Sequence, residues 1–226
     1  MKVGTDSDLL GTLSEGGSRI LDIGTGTGVL SLMLAQRYPE ARITAVEIDD
    51  NAVKDASYNF AHSPFANRIE LCHEAFQTFL DRQDIVEGQE EYDSVVCNPP
   101  YFDKSLECDN LSKTRARHSS SLPFDVLIGG AYRLLRQGGV FSVCIPPEVL
   151  AEFTAECVLT GFTMKHSYQV KAVPERPPKR YVLVFAKGWT GPSADETCCM
   201  RDSDRSRSAW YQRLMDDFLV LGGVRK

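Results

Sequence analysis

Residues 98–101, with the sequence NPPY, are the part of the chain best suited to chemistry, since they directly follow the apolar run 92–97. An aryl amine is a poor nucleophile because its lone pair is delocalised into the ring. An asparagine side-chain oxygen and the next carbonyl oxygen can accept both N–H groups of such an amine and free the lone pair for attack. Two prolines restrict the turn, and a tyrosine offers a face for an extruded base. We predict Asn98, Pro99, Pro100 and Tyr101 as catalytic residues.

A glycine-rich turn, DIGTGTG at residues 22–28, lies between an apolar run and a helical pattern. Alternate glycines allow the backbone to approach a ligand closely, and the N–H groups that open the helix point toward it. NAD-binding proteins hold a pyrophosphate on similar glycines. An acidic residue before the glycines would repel a pyrophosphate, whereas it suits the ammonium of a methionine moiety. We predict S-adenosylmethionine as the cofactor, bound by Asp22, Gly24, Gly26 and Gly28.

Glu47 ends the second predicted strand, about 20 residues beyond the glycine turn, where a carboxylate commonly accepts hydrogen bonds from ribose hydroxyls. Ile48 follows it and is expected to lie against the adenine face of the cofactor. Taken alone, Glu47 could equally be a solvated acid at a strand end. Its place after this turn favours a cofactor role.

The elements that must position these residues alternate in type along the chain. Apolar runs predict strands at 19–23, 43–48, 69–72, 92–97 and 140–145, with helical patterns between them. Two further strands, 163–170 and 181–186, are joined by a loop too short for a crossover helix, so they must be antiparallel. The predicted fold is a doubly wound, Rossmann-like α/β domain with a seven-stranded, mostly parallel sheet and an antiparallel last strand.

This pattern divides the chain into a lead-in segment at 1–18, a main domain at 19–187 and a polar segment at 188–226. Residues 188–209 are rich in Ser, Asp and Arg, and we expect a mobile surface segment there, followed by a short terminal helix.

Composition excludes some classes of protein and leaves the partner open. No apolar stretch is long enough to span a bilayer, and the start lacks a signal-peptide pattern, so we expect a cytoplasmic protein. The seven cysteines show no zinc-ligand spacing, and we predict no metal site. The net charge of −6 does not exclude an RNA partner, because a local basic patch can bind RNA. The oligomeric state stays undetermined.

Several separated segments carry a resemblance to a known family. They are MKVGTD at 1–6 with LLG at 9–11, NPPYF at 98–102, RARH at 115–118 and DDFL at 216–219. With the glycine turn they cover nearly the whole chain, which resembles the bacterial tRNA1(Val) (adenine-37-N6)-methyltransferase family. The resemblance implies a class I amino-methyltransferase that modifies N6 of an adenine beside a tRNA anticodon.

The family match implies roles for further residues. Thr5 and Asp6 would lie over the cofactor pocket, and Asn98 would border the cofactor as well as the amine. The family's basic run would contact RNA through Arg115, Arg117 and His118. A second basic cluster, in a proline-rich loop, adds Lys179 and Arg180 as candidate RNA contacts, with plain surface charge as the alternative.

The chain departs from the family in two places. The acid expected after the third strand, which would bind the adenine amino group, is replaced by Phe76, so Glu74 or the backbone near Ala75 must serve. The chain also starts at a segment that family members precede with further residues, so we expect a truncated N-terminus.

Competing functions follow from the same residues. The catalytic motif also suits methylation of guanine N2 in rRNA or of a glutamine amide in a protein. From another class, an NAD-linked oxidoreductase shares the sheet, and a non-catalytic RNA-binding module shares the basic residues.

Overall fold

A computed structural model describes residues 4–82, 92–99 and 122–218 of the chain. Helices and strands alternate through most of this range. The strands are β1 (Arg19–Ile23), β2 (Arg42–Glu47), β3 (Ile69–His73), β4 (Tyr92–Cys97), β5 (Leu135–Ile145), β6 (Phe162–Lys171), β7 (Pro178–Lys187) and β8 (Ala194–Cys199). The helices are α1 (Thr5–Leu13), α2 (Val29–Arg37), α3 (Asp50–Ala61), α4 (Phe76–Asp81), α5 (Phe124–Leu134), α6 (Leu150–Thr160) and α7 (Ala209–Met215).

The described strands form one sheet in the order β3-β2-β1-β4-β5-β7-β6-β8. Strands β1 to β5 are mutually parallel, and β7 is antiparallel to both β5 and β6. The strand order reverses between β1 and β4, which is the place where doubly wound sheets bind ligands outside the carboxyl ends of their strands. The doubly wound, mostly parallel fold expected from the sequence is confirmed.

The sheet has eight described strands rather than the seven expected. Residues 194–199 pair in parallel with β6, in the register Val170 with Cys198, inside the segment expected to be mobile. The sequence analysis predicted no strand there. An edge strand needs few apolar side chains, and only Cys198 of this strand is buried, so no apolar pattern indicated it.

Two apolar layers cover the two faces of the sheet, as strand alternation requires. On one face Leu21, Phe141 and Phe185 pack with buried side chains of α4, α5 and α6. On the other face Ile20 and Val96 pack with buried side chains of α1 and α2. The reversal point therefore lies between two well-packed layers, and the loops there are carried by a rigid frame.

Helix α1 belongs to this core. Leu9 and Leu10 are fully buried in the second layer, and Arg37 of α2 donates hydrogen bonds to the carbonyl oxygens of Gly11 and Ser14 at 2.7 and 2.9 Å. The segment expected to lead into the domain thus packs as part of it, which fixes the helix start beside the carboxyl edge of the sheet. Within the described residues, no helix is long and apolar enough to cross a membrane.

Candidate active site

The glycine turn and the NPPY motif leave the sheet side by side. Ile23 and Cys97 are register partners on the adjacent parallel strands β1 and β4, so Gly24 and Asn98 each follow a paired residue at the same edge. Neighbouring strands lie about 4.8 Å apart. The topology therefore brings the predicted cofactor turn and the predicted amine acceptors together.

Asn98 is half-buried and Pro99 is buried. The Asn98 side-chain nitrogen donates a hydrogen bond to the Ser7 hydroxyl oxygen at 3.2 Å. Because the amide nitrogen is held by α1, the amide oxygen is directed to the other side, where it can accept an N–H of a substrate amine. Pro100 and Tyr101, also predicted as catalytic, lie outside the described residues.

Ser7 lies at the candidate site and was not predicted from the sequence. It lies in the first turn of α1 and is 91 positions from its partner Asn98, so no local pattern could reveal the contact. The sequence offered only its position directly after Thr5 and Asp6, which the family match places over the cofactor pocket.

Asp22 is fully buried at the end of β1. Its Oδ2 accepts hydrogen bonds from the hydroxyls of Thr25 and Ser31, both at 2.7 Å, while Oδ1 has no partner among the described residues. Burial is the main cause that raises the pKa of Asp22 to about 6, against the lowering effect of the two hydroxyls. A buried carboxylate with one unsatisfied oxygen is suited to a cationic ligand group.

The glycine turn has a compact side and an open side. At Gly28 (φ 84°), which precedes α2, an added Cβ would lie 2.4 Å from the Phe60 ring, so only glycine allows α3 to pack there. At Gly24 (φ 71°) an added Cβ would meet no atom of the described residues within 4 Å. The space beside Gly24 is therefore open to a ligand, whereas Gly28 is required by packing. Gly26, the third predicted glycine, donates its N–H to Glu47 Oε2 at 2.8 Å.

The Glu47 carboxylate accepts hydrogen bonds from the glycine turn and from the residues that follow β2. Its Oε1 accepts hydrogen bonds from the N–H groups of Ile48 and Asp49 at 2.8 and 2.9 Å, in addition to the bond from Gly26 to Oε2. The carboxylate is thus fixed at the open edge, with acceptor capacity left on Oε2. Ile48 is 61% exposed beside it, a large apolar side chain that a flat aromatic ligand could cover.

The residues after β3 do not provide a free acid for the adenine amino group of the cofactor. Phe76 is buried in the core and stacks on Phe79, so the expected acid position contributes packing. The Glu74 carboxylate is engaged by the Arg82 guanidinium through two hydrogen bonds. The N–H of Glu74 donates to the carbonyl oxygen of Glu47 at 3.0 Å, which places residues 74 and 75 beside the candidate ribose acceptor. Ala75, just before α4, has extended backbone.

The start of α1 meets β7 at the same edge. Arg180 donates from Nε to Asp6 Oδ2 at 2.7 Å, and both side chains are half-buried. Thr5 is exposed at the first helical position, and Lys179 is exposed beside Arg180. Arg180 therefore bonds to a residue expected over the cofactor, in addition to its candidate RNA role.

The other predicted RNA contacts lie outside the described residues. They are Arg115, Arg117 and His118.

Comparison with known proteins finds that the chain is similar to methyltransferases. The model of the methyltransferase small domain family matches residues 3–149. A tRNA1(Val) (adenine(37)-N6)-methyltransferase of Phocaeicola vulgatus is 44% identical over 189 residues, covering 82% of this chain and 76% of that protein. A protein of the same name from Pseudoalteromonas translucida is 38% identical and covers 97% of this chain and 92% of its own length.

Solved structures support the fold. A "predicted O-methyltransferase" of Agrobacterium tumefaciens matches with a TM-score of 0.71 at 22% identity, covering 93% of this chain and 95% of that one. A methyltransferase from Pyrococcus furiosus matches with a TM-score of 0.54 at 22% identity over 80% of each chain.

Proposed function

Since the chain belongs to the tRNA1(Val) (adenine(37)-N6)-methyltransferase family, we propose that it methylates N6 of an adenine in tRNA, with adenine 37 of tRNA1(Val) as the target. The observation that carries this proposal is the adjacent placement of Asn98 and the glycine turn at the reversal point of the sheet. A tRNA substrate is consistent with the predicted cytoplasmic location.

S-adenosylmethionine is the proposed cofactor, and the described residues fit its parts. Asp22 Oδ1, which has no partner among the described residues, suits the ammonium group, and those residues leave room for the ligand beside the Gly24 backbone. Glu47 suits the ribose hydroxyls, and the exposed Ile48 suits the adenine face. When bound, S-adenosylmethionine supplies an electrophilic methyl group.

The adenine amino group of the cofactor requires a different partner from the usual acid. Phe76 is in the core, and the Glu74 carboxylate is occupied by Arg82, so we propose recognition through backbone atoms around Ala75. Thr5 and Asp6 are proposed to close the pocket from α1.

The substrate amine is proposed to be held by two acceptors, the Asn98 side-chain oxygen and the Pro99 carbonyl oxygen. Accepting both N–H groups draws the nitrogen out of conjugation and directs its lone pair toward the methyl group. The contact from Asn98 to Ser7 fixes the amide before the substrate arrives, so its reorganisation adds little to the barrier. Transfer of the methyl group to the nitrogen would release S-adenosylhomocysteine. The methylated ammonium is acidic enough to lose its proton to solvent, so no strong base is required.

Pools of different substrates separate this proposal from its alternatives. The enzyme would be incubated with labelled S-adenosylmethionine and, separately, tRNA, ribosomes and release factors from cells that lack the gene. We expect label in tRNA alone. Label in rRNA or in a release factor would contradict the proposal and favour the guanine or glutamine reaction. In parallel calorimetry, we expect heat with S-adenosylhomocysteine and none with NADH, whereas an oxidoreductase would give the reverse.

A further inference from the structure

The C-terminal part of the described chain extends the carboxyl edge of the sheet. Strand β6 runs in the same direction as β5, because each is antiparallel to β7, and β8 is parallel to β6. The ends of β6 and β8, at Lys171 and Cys199, therefore lie at the same edge as the end of β4, which Asn98 follows. Both loops that leave these strands begin on the catalytic side of the molecule.

The loop after β8 is a tight hairpin. Arg201 and Arg207 form an antiparallel bridge, and the Asp202 N–H donates to the Ser206 carbonyl oxygen at 3.0 Å. Arg205 stands at its tip in the left-handed region, with φ 69°. The Asp204 side chain accepts the Ser206 N–H at 2.8 Å. These contacts hold residues 201–207 in one conformation, so their side chains are presented on a fixed backbone.

Hydrogen bonds join this hairpin to the loop between β6 and β7. The N–H groups of Met200 and Arg201 donate to the carbonyl oxygens of Lys171 and Ala172 at 2.9 and 3.1 Å. The Ser203 hydroxyl donates to the Glu175 carboxylate. Residues 171–180 and 201–207 therefore form one surface, which we call the basic edge.

The basic edge differs in charge from the rest of the molecule. It contains seven Lys and Arg against three Asp and Glu, in a chain whose net charge is −6. Arg176, Lys179, Arg205 and Arg207 are exposed and form no ion pair with any residue the structure describes. The three acids offset only part of this charge, so residues 171–180 and 201–207 keep an excess of four positive charges.

We propose that the basic edge binds the sugar-phosphate backbone of the tRNA that flanks the target adenine, an inference that rests on the proposed function. Four strand steps separate β4 from β8, which is about 20 Å at the usual spacing. An RNA whose extruded base lies at Asn98 would place phosphates several nucleotides away over this surface. Lys and Arg on a fixed backbone bind phosphates without reading the base sequence.

Binding of an unmodified tRNA1(Val) transcript, measured with S-adenosylhomocysteine present, tests the proposal. The variants are R176E and R205E, and the matched control is R42E, an exposed arginine at the start of β2 on the opposite edge of the sheet. We expect R176E and R205E each to weaken binding about tenfold at low salt. Each should also reduce the slope of log K against log salt by roughly 0.7–0.9 per lost contact. R42E should remain within about twofold of the unmodified protein.

Equal Kd values and salt slopes for R176E, R205E and R42E would overturn the inference. The neutral double variant R176Q/R205Q repeats the test with less perturbation of the hairpin, and unchanged binding there would overturn it as well. The two proposals fail separately. If the unmodified protein methylates tRNA but the variants bind normally, only the basic edge is wrong. If the variants weaken binding but the methyl group is found on guanine, only the proposed target is wrong.

Discussion

Asn98 is the residue whose side chain we expect to contribute most to turnover. If its side-chain oxygen is a preorganised acceptor for the amine, the Asn98→Ala change removes an interaction that matters in the transition state. We expect turnover on tRNA to fall by roughly a hundredfold or more, while the Kd for S-adenosylhomocysteine changes little. Steady-state kinetics and calorimetry give the two numbers. Comparable losses in both would mean that Asn98 is structural.

Ser7 provides a finer test of that preorganisation. Ser7→Ala removes the acceptor for the Asn98 amide nitrogen, so the amide can rotate away from its productive orientation. One neutral hydrogen bond is worth about 1 kcal/mol, and we expect kcat to fall roughly fivefold at unchanged KM for tRNA. Ser7→Thr keeps a hydroxyl and should recover most of the activity. An equal loss in both variants would point to a packing defect in α1.

The raised pKa of Asp22 predicts that cofactor binding depends on pH. Burial raises its pKa to about 6, so the carboxyl is neutral below that pH and ionised above it. A cationic ligand group favours the ionised form, so affinity for S-adenosylhomocysteine should rise with pH between about 5 and 7 and fall as pH drops through 6. Calorimetry across this range checks it, with Asp22→Asn as the control that lacks the titration. A flat profile in the unmodified protein would contradict the role given to Asp22.

In the turn between β1 and α2, one glycine is required by packing and another by the proposed ligand space. Both Gly24 and Gly28 have positive φ, so an alanine at either costs about 1 kcal/mol of folding free energy. Gly28→Ala also drives a Cβ into Phe60, which adds roughly 1–3 kcal/mol. Gly24→Ala meets no atom of the part of the chain that the structure describes, but it fills the proposed ligand space.

We therefore expect Gly28→Ala to lose more stability in urea unfolding, and Gly24→Ala to weaken S-adenosylhomocysteine binding at least tenfold at modest stability cost. The two variants are matched controls for each other. Greater instability in Gly24→Ala, with its cofactor affinity intact, would be inconsistent with an open ligand space there.

Elements with a strong periodic pattern were predictable from the sequence, and those stabilised by distant contacts were not. Apolar runs such as 140–145 indicate buried strands, and the short loop after 163–170 requires an antiparallel partner. Strand β8 lacks such a pattern because it lies at the sheet edge with exposed polar side chains. The Ser7 contact and the Arg180 pair with Asp6 depend on tertiary placement alone.

For the whole molecule, net charge is a poor guide to the partner. The chain is acidic, yet seven of its Lys and Arg lie along one part of the catalytic edge, where the end of β6 meets the hairpin after β8. Binding of a polyanion depends on this local field, which the sequence total averages away. Asn98 and the basic edge lie along the same edge of the sheet, so one RNA can contact both.

Methylation of adenine 37 is tested most directly with two tRNA1(Val) transcripts, one with adenine at position 37 and one with guanine there. Each is incubated with the enzyme and labelled S-adenosylmethionine, and the RNA is then digested to nucleosides. We expect label as N6-methyladenosine in the adenine transcript and only background in the guanine transcript. Equal label in both transcripts, or label on guanine, would contradict it.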